Sequence, residues 1–219
     1  MGRTGIACQS RQRVVSTSWL QKKVAASNLL ISPFSCPVSS PPTNPTEPLA
    51  ELRAALTTDA LSEACLQATL NLVDPYLRAD RCFFYVRNPA RARGRIALVW
   101  RFDEVIPDPR HDWQDDADDL PKEDPLFRAA LACRPSVFVD DVSEAGSEVL
   151  NQEFERRTFD HCALVHAHIT GGGQLWGILQ PCVFGHPHHW TAAERAYLDA
   201  VIGLLLPVVQ GYIQGRSVE

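Results

Sequence analysis

The sequence has 219 residues and lacks several features that would place it in a functional class at once. Its seven cysteines are odd in number and form no CxxC pair, which argues against a zinc ribbon or a disulfide framework. Its longest apolar run, residues 200–209, contains a glycine and a proline and is too short to cross a bilayer, so we expect a soluble protein with no membrane partner. A phosphate-binding glycine loop, HExxH and GxSxG are also missing, which leaves little support for an enzyme.

Acidic residues are absent from positions 1–46, which hold five basic residues, whereas the rest of the chain carries 16 basic and 26 acidic residues. An acidic body repels phosphate backbones, so we expect no nucleic-acid partner. The proline- and serine-rich composition of residues 1–46 predicts a disordered leader. A cleaved transit peptide and an overlong start site remain open, and with them a plastid location instead of a cytoplasmic one.

Hydrophobic periodicity predicts one domain over residues 47–219. The predicted elements are helical segments within 49–72, strands at 82–86 and 95–100, an acidic surface excursion at 103–124, a short helix at 125–133, a strand at 136–139, a helix at 147–158, strands at 163–169 and 174–179 around a glycine turn, and a long helix after a capping box at 191–194. Hairpins dominate and no βαβ alternation is present. The fold class is therefore α+β, an antiparallel sheet with helices on one side.

Two strings resemble the GAF domains that bind bilins in phytochromes and cyanobacteriochromes. Residues 77–85, LRADRCFFY, resemble that family's entry into its first strand. Residues 175–179, LWGIL, followed by Pro187, Trp190 and Glu194, resemble its LWGLL…P…W…E pattern at matching spacing. The resemblance covers roughly residues 49 to 214 and implies a GAF fold.

The sequence departs from that family at the positions that hold the chromophore. The family's attachment cysteine falls at Asn151 or Gln152, its second cysteine falls at Leu126, and its pyrrole-contacting histidine corresponds to Cys182. A thioether needs a thiol at the bond-forming position, so we expect no covalent bilin attachment.

The resemblance implies a non-catalytic regulatory or sensory protein that acts through contact with a protein partner. The acidic excursion and the outer faces of the terminal helices are the expected contact surfaces, and a homodimer is one form of that contact. An apolar stripe on the last helix fits a two-helix seam or a helix packed on its own sheet. Its members are Leu198, Val201, Leu205, Val208 and Tyr212.

The alternative function is a carrier or sensor that holds a linear tetrapyrrole, or another planar molecule, without a covalent bond. Aromatic walls suit such a ligand, although they also suit a filled core. The candidate wall residues are Tyr85, Trp100, Phe127, Phe138, Phe159, Trp176, Cys182 and Trp190. A carrier should retain an apolar cavity beneath residues 124–127, whereas an interaction module would fill that space with side chains.

Histidines and cysteines raise two further hypotheses, both of which we disfavour. His166 and His168 share a strand face and, with Cys182 and the histidines at 186, 188 and 189, offer ligands for zinc or copper, but their spacing matches no standard motif and we expect no metal. A thiol enzyme similar to the free methionine sulfoxide reductases would use Cys133, Cys162 or Cys182, yet no obvious base accompanies Cys182 in the sequence.

Overall fold

The structure, a computed structural model, describes residues 46–56 and 62–215. The predicted leader lies outside these residues apart from position 46. The elements are α1 (Thr46–Leu56), α2 (Ser62–Leu77), β1 (Arg81–Asn88), β2 (Arg93–Arg101), β3 (Gln114–Asp115), α3 (Leu120–Glu123), α4 (Pro125–Leu131), β4 (Val137–Val139), α5 (Gln152–Thr158), β5 (Ala163–Gly171), β6 (Gln174–Val183) and α6 (Ala192–Gly215).

The strands form a single six-stranded sheet in the order β3-β2-β1-β6-β5-β4, and the paired strands are antiparallel. Both predicted hairpins are present, β1–β2 and β5–β6. Gly172 and Gly173 join β5 to β6 with φ angles of 60° and 72°, as a two-residue hairpin turn requires. The antiparallel α+β architecture expected from the sequence is confirmed.

One face of the sheet, called here the long-helix face, is covered by α1, α2 and α6. Strand residues that alternate along β1, including Cys82 and Phe84, pack there with Leu70 of α2 and Leu205 of α6. These side chains are fully buried. The face is therefore an apolar core, as the hydrophobic periodicity of the helices predicts.

The opposite face, called here the short-helix face, is covered by α4, α5 and their connecting loops. Phe83, Leu164 and Cys182 lie on it in contact with Leu126 and Leu150, and a smaller group around Phe127 packs on the same side against β6. The expectation of helices on one side of the sheet is thus wrong. The short segments from 120 to 158 cover what would otherwise be an exposed apolar surface.

The acidic excursion folds back onto the β1–β2 hairpin. Asp115 pairs with Arg93 at 2.8 Å, and Asp116 lies 2.7 Å from Arg87 while it accepts a hydrogen bond from the Tyr85 hydroxyl. β3 and α3 also lie within this segment. Part of the predicted partner surface is consequently engaged inside the domain.

The closing helix α6 begins as its capping box predicts. The Thr191 backbone amide donates to Glu194 at 2.7 Å, and the Glu194 amide donates to the Thr191 hydroxyl at 3.3 Å. The helix then continues through Pro207 to Gly215. By length and composition α6 is apolar enough to cross a membrane, but it packs on the sheet, and 39% of its most apolar 18-residue window is buried.

The predicted two-helix seam on α6 faces inward. Leu198, Val201 and Leu205 are fully buried and Tyr212 is 3% exposed, all within the core of the long-helix face. Only Val208 is partly exposed. The stripe is therefore the surface that α6 packs on its own sheet, and a partner has to use the other side of the helix.

Candidate functional site

Four buried polar side chains, called here the charged cluster, lie on the short-helix face: Arg81, Glu155, His161 and Cys182. Each is at most 4% exposed. Arg81 and Cys182 are direct partners in the β1–β6 register, so their side chains leave the sheet on the same side. Glu155 comes from α5, and His161 lies just before β5. The cluster thus joins two central strands to the cover of the sheet.

The Arg81 guanidinium is held by carbonyls and aromatic rings. Nη1 donates to the Pro107 carbonyl at 3.0 Å and Nη2 to the Phe159 carbonyl at 3.4 Å. Its central carbon lies 4.8 Å from the ring centroid of Phe184, with Phe83 also within cation–π distance. A permanently charged group is consequently fixed inside the domain.

The end of α5 brings His161 back to Glu155. Asp160 adopts φ 57°, and its amide donates to the Glu155 carbonyl at 3.0 Å, a left-handed helix ending that reverses the chain. Nε2 of His161 then lies 2.9 Å from Oε2 of Glu155. The imidazole stacks on Phe159, with the ring centroids 5.6 Å apart.

Several polar atoms of the charged cluster have no hydrogen-bond partner among the described residues. The close approach of His161 and Glu155 does not meet the geometry of a directed hydrogen bond, so Oε2 of Glu155 and both ring nitrogens of His161 remain unsatisfied, as does Nε of Arg81. Buried polar groups are almost always satisfied in native proteins. The cluster therefore has hydrogen-bonding capacity for water or for a small polar ligand.

The electrostatics of the charged cluster favour a thiolate beside an imidazolium. Burial alone would lower the pKa of His161, but the facing Cys182 thiolate and Glu155 raise it to about 9. Burial alone would raise the pKa of the Cys182 thiol, but His161 and then Arg81 bring it below its usual value. Both shifts favour the form of the pair in which His161 is positive and Cys182 is negative.

A buried carboxyl adjoins the charged cluster at the start of α4. Asp124 accepts hydrogen bonds from the amides of Leu126 and Phe127 at 2.8 and 3.1 Å and so caps the helix. Burial, followed by the negative charge of Glu155, raises the pKa of Asp124 to about 6. The charge of Glu155 therefore disfavours the ionised form of Asp124.

Two histidines form a buried pair on the same sheet face. His168 Nδ1 lies 2.8 Å from the Arg134 carbonyl, and His168 Nε2 lies 2.8 Å from His166 Nδ1. Burial lowers the pKa of both rings, that of His166 well below normal, with further lowering from His168 and His161. Because a carbonyl only accepts, a neutral His168 carries its proton on Nδ1 and accepts at Nε2 from His166. The two rings are therefore neutral and hydrogen-bonded to each other, and they lie beside the charged cluster.

An open cleft of about 720 Å³ lies between the α3–α4 segment and α5. Pro125, Arg128, Leu150, Asn151 and Arg156 are among the residues that line it. Leu150 also packs in the same apolar group as Cys182. The cleft and the charged cluster are consequently separated by a shared layer of side chains.

Comparison with known proteins identifies the family. The GAF domain profile matches residues 62–205. The chain belongs to the GAF domain family. The phycoerythrobilin-bound GAF domain of a cyanobacterial phytochrome superposes with a TM-score of 0.62 at 19% identity, over 78% of this chain and 97% of that one. No curated protein matches the chain.

Two further solved structures share the fold. The GAF domain of the Acinetobacter phosphoenolpyruvate-protein phosphotransferase superposes with a TM-score of 0.59 at 12% identity, over 78% of this chain and 97% of that one. Free methionine-R-sulfoxide reductase from Neisseria meningitidis, in complex with its substrate, gives 0.57 at 13% identity, over 78% and 91%. At these identities the likeness establishes the fold alone.

The eight residues predicted to line a ligand site are divided between the two faces of this GAF sheet. Those on the short-helix face are Tyr85, Phe127, Phe159 and Cys182. Those packed with the long-helix core are Trp100, Phe138, Trp176 and Trp190. A single aromatic wall built from all eight therefore does not exist, because the two groups pack on opposite sides of the sheet.

The family's attachment positions border the cleft, but here they serve as structural residues. Asn151 caps α5 by accepting from the amides of Glu153 and Phe154, and its Nδ2 donates to the Glu123 carbonyl at 3.1 Å. Leu126, at the second cysteine position, is 1% exposed. Leu126 and Phe127 pack into the apolar groups of the short-helix face.

Two further histidines lie beside carboxylates at the edge of the domain. His188 lies 3.3 Å from Glu194 and His189 lies 2.6 Å from Asp140. Within residues 46–56 and 62–215, no three His, Cys, Asp or Glu side chains are grouped so as to hold a metal ion.

Sequence reasoning did not identify the partnership of Arg81, Glu155 and His161 with Cys182. One signal was present in the sequence. Arg81 lies two positions before Phe83 on the same strand, so alternation predicts that its charged side chain points to the same buried face as Phe83. The partnership of His161 with Cys182 depends on the β5–β6 pairing and had no local signature.

Proposed function

We propose that this GAF domain is a non-catalytic sensory or regulatory module that passes its signal on by contact with another protein. The observation that carries the proposal is the outer side of α6. Residues 200–215 contain no charged side chain, although positions such as Gly203 and Pro207 are exposed. An uncharged and largely apolar helix face at the surface is typical of a protein interface.

The shape of this outer side suits a second helix. The exposed line runs through Ala196, Gly203 and Pro207, and half-buried Ile202 and Leu206 flank it. Small residues along a line let two helices approach closely, and the flanking apolar side chains supply contact area. A second copy of this chain is the simplest partner of that shape.

Two matched glycine variants test the interface by light scattering of the full chain. A side chain at Gly203 or at Gly215 meets no described atom within 4 Å, so the fold accommodates glutamate at either position. We expect a dimer for the wild type and for Gly215→Glu and a monomer for Gly203→Glu. A monomeric wild type would refute the homodimer, and a dimeric Gly203→Glu would refute α6 as the interface.

A noncovalent tetrapyrrole is the second candidate, favoured by the cleft. The solved relatives that contain phycoerythrobilin or phycocyanobilin share the fold, and the cleft of about 720 Å³ borders Asn151 and Gln152, the residues at their attachment position. The test is an absorption spectrum of protein purified from bilin-producing cells. An extractable visible band supports this candidate, whereas a colourless protein refutes it and a band that stays on the denatured chain refutes noncovalent binding.

The proposal that the domain is non-catalytic is tested by assaying it for the reaction of the reductase that shares the fold. We expect the purified chain, supplied with dithiothreitol, to leave free methionine-R-sulfoxide unreduced, because the described cysteines are distributed over α2, β1, β6 and two loops. Turnover above the rate of a Cys182→Ser variant would make the protein an enzyme and overturn this part of the proposal.

A further inference from the structure

Cys182 lies in surroundings unlike those of the other buried cysteines. It faces Arg81 across the β1–β6 register and also contacts His161, which itself lies 2.9 Å from Glu155. Cys82, one position after Arg81, is equally buried but points into the apolar core of the long-helix face. The two thiols share their depth and differ in charge environment.

Arg81 and Glu155 offset each other in charge, so the cluster stays balanced only if Cys182 and His161 ionise together or both stay neutral. Arg81 is always a cation, and the approach of Glu155 to His161 favours the imidazolium. With Glu155 as the sole anion the cluster would hold two positive charges and one negative charge. A thiolate at Cys182 supplies the second negative charge, and buried charges are tolerated only when they are paired.

We propose that Cys182 is an oxidation site, at which hydrogen peroxide converts the thiolate to a sulfenic acid. The sulfur attacks one peroxide oxygen and the O–O bond breaks, so that sulfur loses two electrons and the departing oxygen gains them. The hydroxide that leaves takes the proton of the His161 imidazolium and becomes water. Arg81 lies on the same side of the sheet, where its charge stabilises the departing oxygen.

Burial selects the oxidant. Cys182 has no exposed surface, but Leu150 belongs both to its apolar group and to the wall of the cleft. Hydrogen peroxide is uncharged and close to water in size, so local motion of this shared layer admits it while larger electrophiles stay outside. Oxidation removes the thiolate charge that faces His161 and Arg81, whether or not a ligand occupies the cleft.

The test compares cysteines within the same protein. The full chain is treated briefly with hydrogen peroxide at pH 7, quenched, and unfolded in the presence of dimedone, and each cysteine peptide is then analysed by mass spectrometry. An ordinary thiol is only a few per cent thiolate at this pH, so we expect Cys182 to react about thirtyfold faster than a thiol of ordinary pKa with equal access. Sulfenic and sulfinic products both count as oxidation.

Cys162 and Cys82 are the internal controls. Cys162 is partly exposed and Cys82 is fully buried, and burial raises the pKa of both thiols. If access alone governs oxidation, Cys162 reacts first. The inference requires that Cys182 is modified before Cys162 despite its burial, and the reverse order would overturn it.

Substitutions of histidine test whether His161 is the proton donor in this oxidation. His161→Gln should slow oxidation of Cys182 severalfold, because the thiol loses one of the two positive groups that lower its pKa. His189→Gln, whose ring is 82% exposed and paired with Asp140, should leave the rate unchanged. An unchanged rate in His161→Gln would refute the role of His161.

A pH profile of the wild type keeps the inference testable if His161→Gln does not fold. The groups that face Cys182 are Arg81 from β1, His161 before β5 and, through His161, Glu155 of α5, with Cys82 on the far side of β1. Oxidation of Cys182 should change less than threefold from pH 7 to 8, whereas a thiol of ordinary pKa gains nearly tenfold. A tenfold gain at Cys182 would contradict a preformed thiolate.

Discussion

The two faces of the sheet show how one fold separates stability from chemistry. The long-helix face is lined by Cys82, Phe84 and the apolar sides of three helices. It contributes to the stability of the fold through burial of apolar surface. The short-helix face is covered by helices of four to seven residues and holds the charged cluster. The charged cluster is therefore buried beneath short helices, where local opening can admit a small molecule, whereas Asp74 of α2 is a buried carboxyl near the apolar face.

The cysteines on β1 and β6 make the comparison sharpest. On the apolar face, burial and the nearby Asp74 raise the pKa of Cys82 well above normal. On the polar face, His161 and Arg81 overcome the effect of burial on Cys182. Depth alone therefore does not determine the state of a thiol, because the charges that surround it decide the sign of the shift.

The largest expected effect comes from removing the fixed cation of the polar face. Arg81→Met should cost about 3–5 kcal/mol of unfolding free energy, because it leaves the anions of a buried group without their partner. Arg93→Met removes an exposed ion pair with Asp115 and should cost less than about 1 kcal/mol. Urea unfolding measures both, and equal losses would contradict the difference between buried and surface charge.

The next effect is a pH dependence that originates at Asp124. Its pKa rises from 3.8 to about 6 on folding, so the folded state binds more protons than the unfolded state between these values and stability falls as pH rises through that window. Asp124→Asn keeps the helix cap and should be more stable than the wild type by about 3 kcal/mol at pH 7. The two proteins should converge near pH 4.

An aspartate with the opposite shift serves as the control for Asp124. Arg110 holds the pKa of Asp108 below its usual value, so the stabilisation from Asp108 is present at neutral pH and is lost as pH falls. Asp108→Asn should therefore be less stable than the wild type at pH 7. The same sign for both variants in urea unfolding would contradict the assigned environments.

A smaller effect is expected where β2 passes under Tyr85. A methyl group at Gly94 would lie 1.9 Å from the Tyr85 hydroxyl oxygen, so Gly94→Ala forces the ring to move and should cost about 1–3 kcal/mol. The double variant Tyr85→Val/Gly94→Ala should cost less than the sum of the two single changes. Additive losses would show that the ring does not press on Gly94.

The smallest effect is expected on the outer side of α6, where Gly203→Ala adds a methyl group that meets no described atom within 4 Å. The change should stabilise the isolated domain by about 0.5–1 kcal/mol, because alanine loses less backbone entropy than glycine in a helix. Thermal unfolding at low protein concentration measures it. Destabilisation would show that α6 needs glycine at this position within the domain itself.

Local signals in the sequence were sufficient for the two hairpins, the Gly172–Gly173 turn and the Thr191 capping box, because each depends on residues close together in the chain. The predicted helix at 147–158 begins only at Gln152, since Asn151 caps it and the preceding residues form a turn. The acidic excursion looked like a free surface because its arginine partners lie 22 to 29 positions earlier.

The charged cluster could not be predicted from local sequence patterns either, because its members are also distant in the sequence. Cys182 had no visible base in the sequence because His161 reaches it through the β5–β6 pairing and a left-handed turn at Asp160. The apolar stripe of α6 fits a dimer seam and a core equally well until the sheet it packs on is known. Patterns along one element predicted the elements, and contacts between elements decided the site.

The charge state of the His161 ring tests the contrast between the two faces most directly. Nitrogen chemical shifts of the histidine side chains, recorded against pH on the full chain with His161→Gln for assignment, report that charge. We predict an imidazolium at pH 7.5 that loses its proton near pH 9, together with neutral rings at His166 and His168. A neutral His161 at pH 7.5 would contradict the thiolate pair and leave the short-helix face with an ordinary buried thiol.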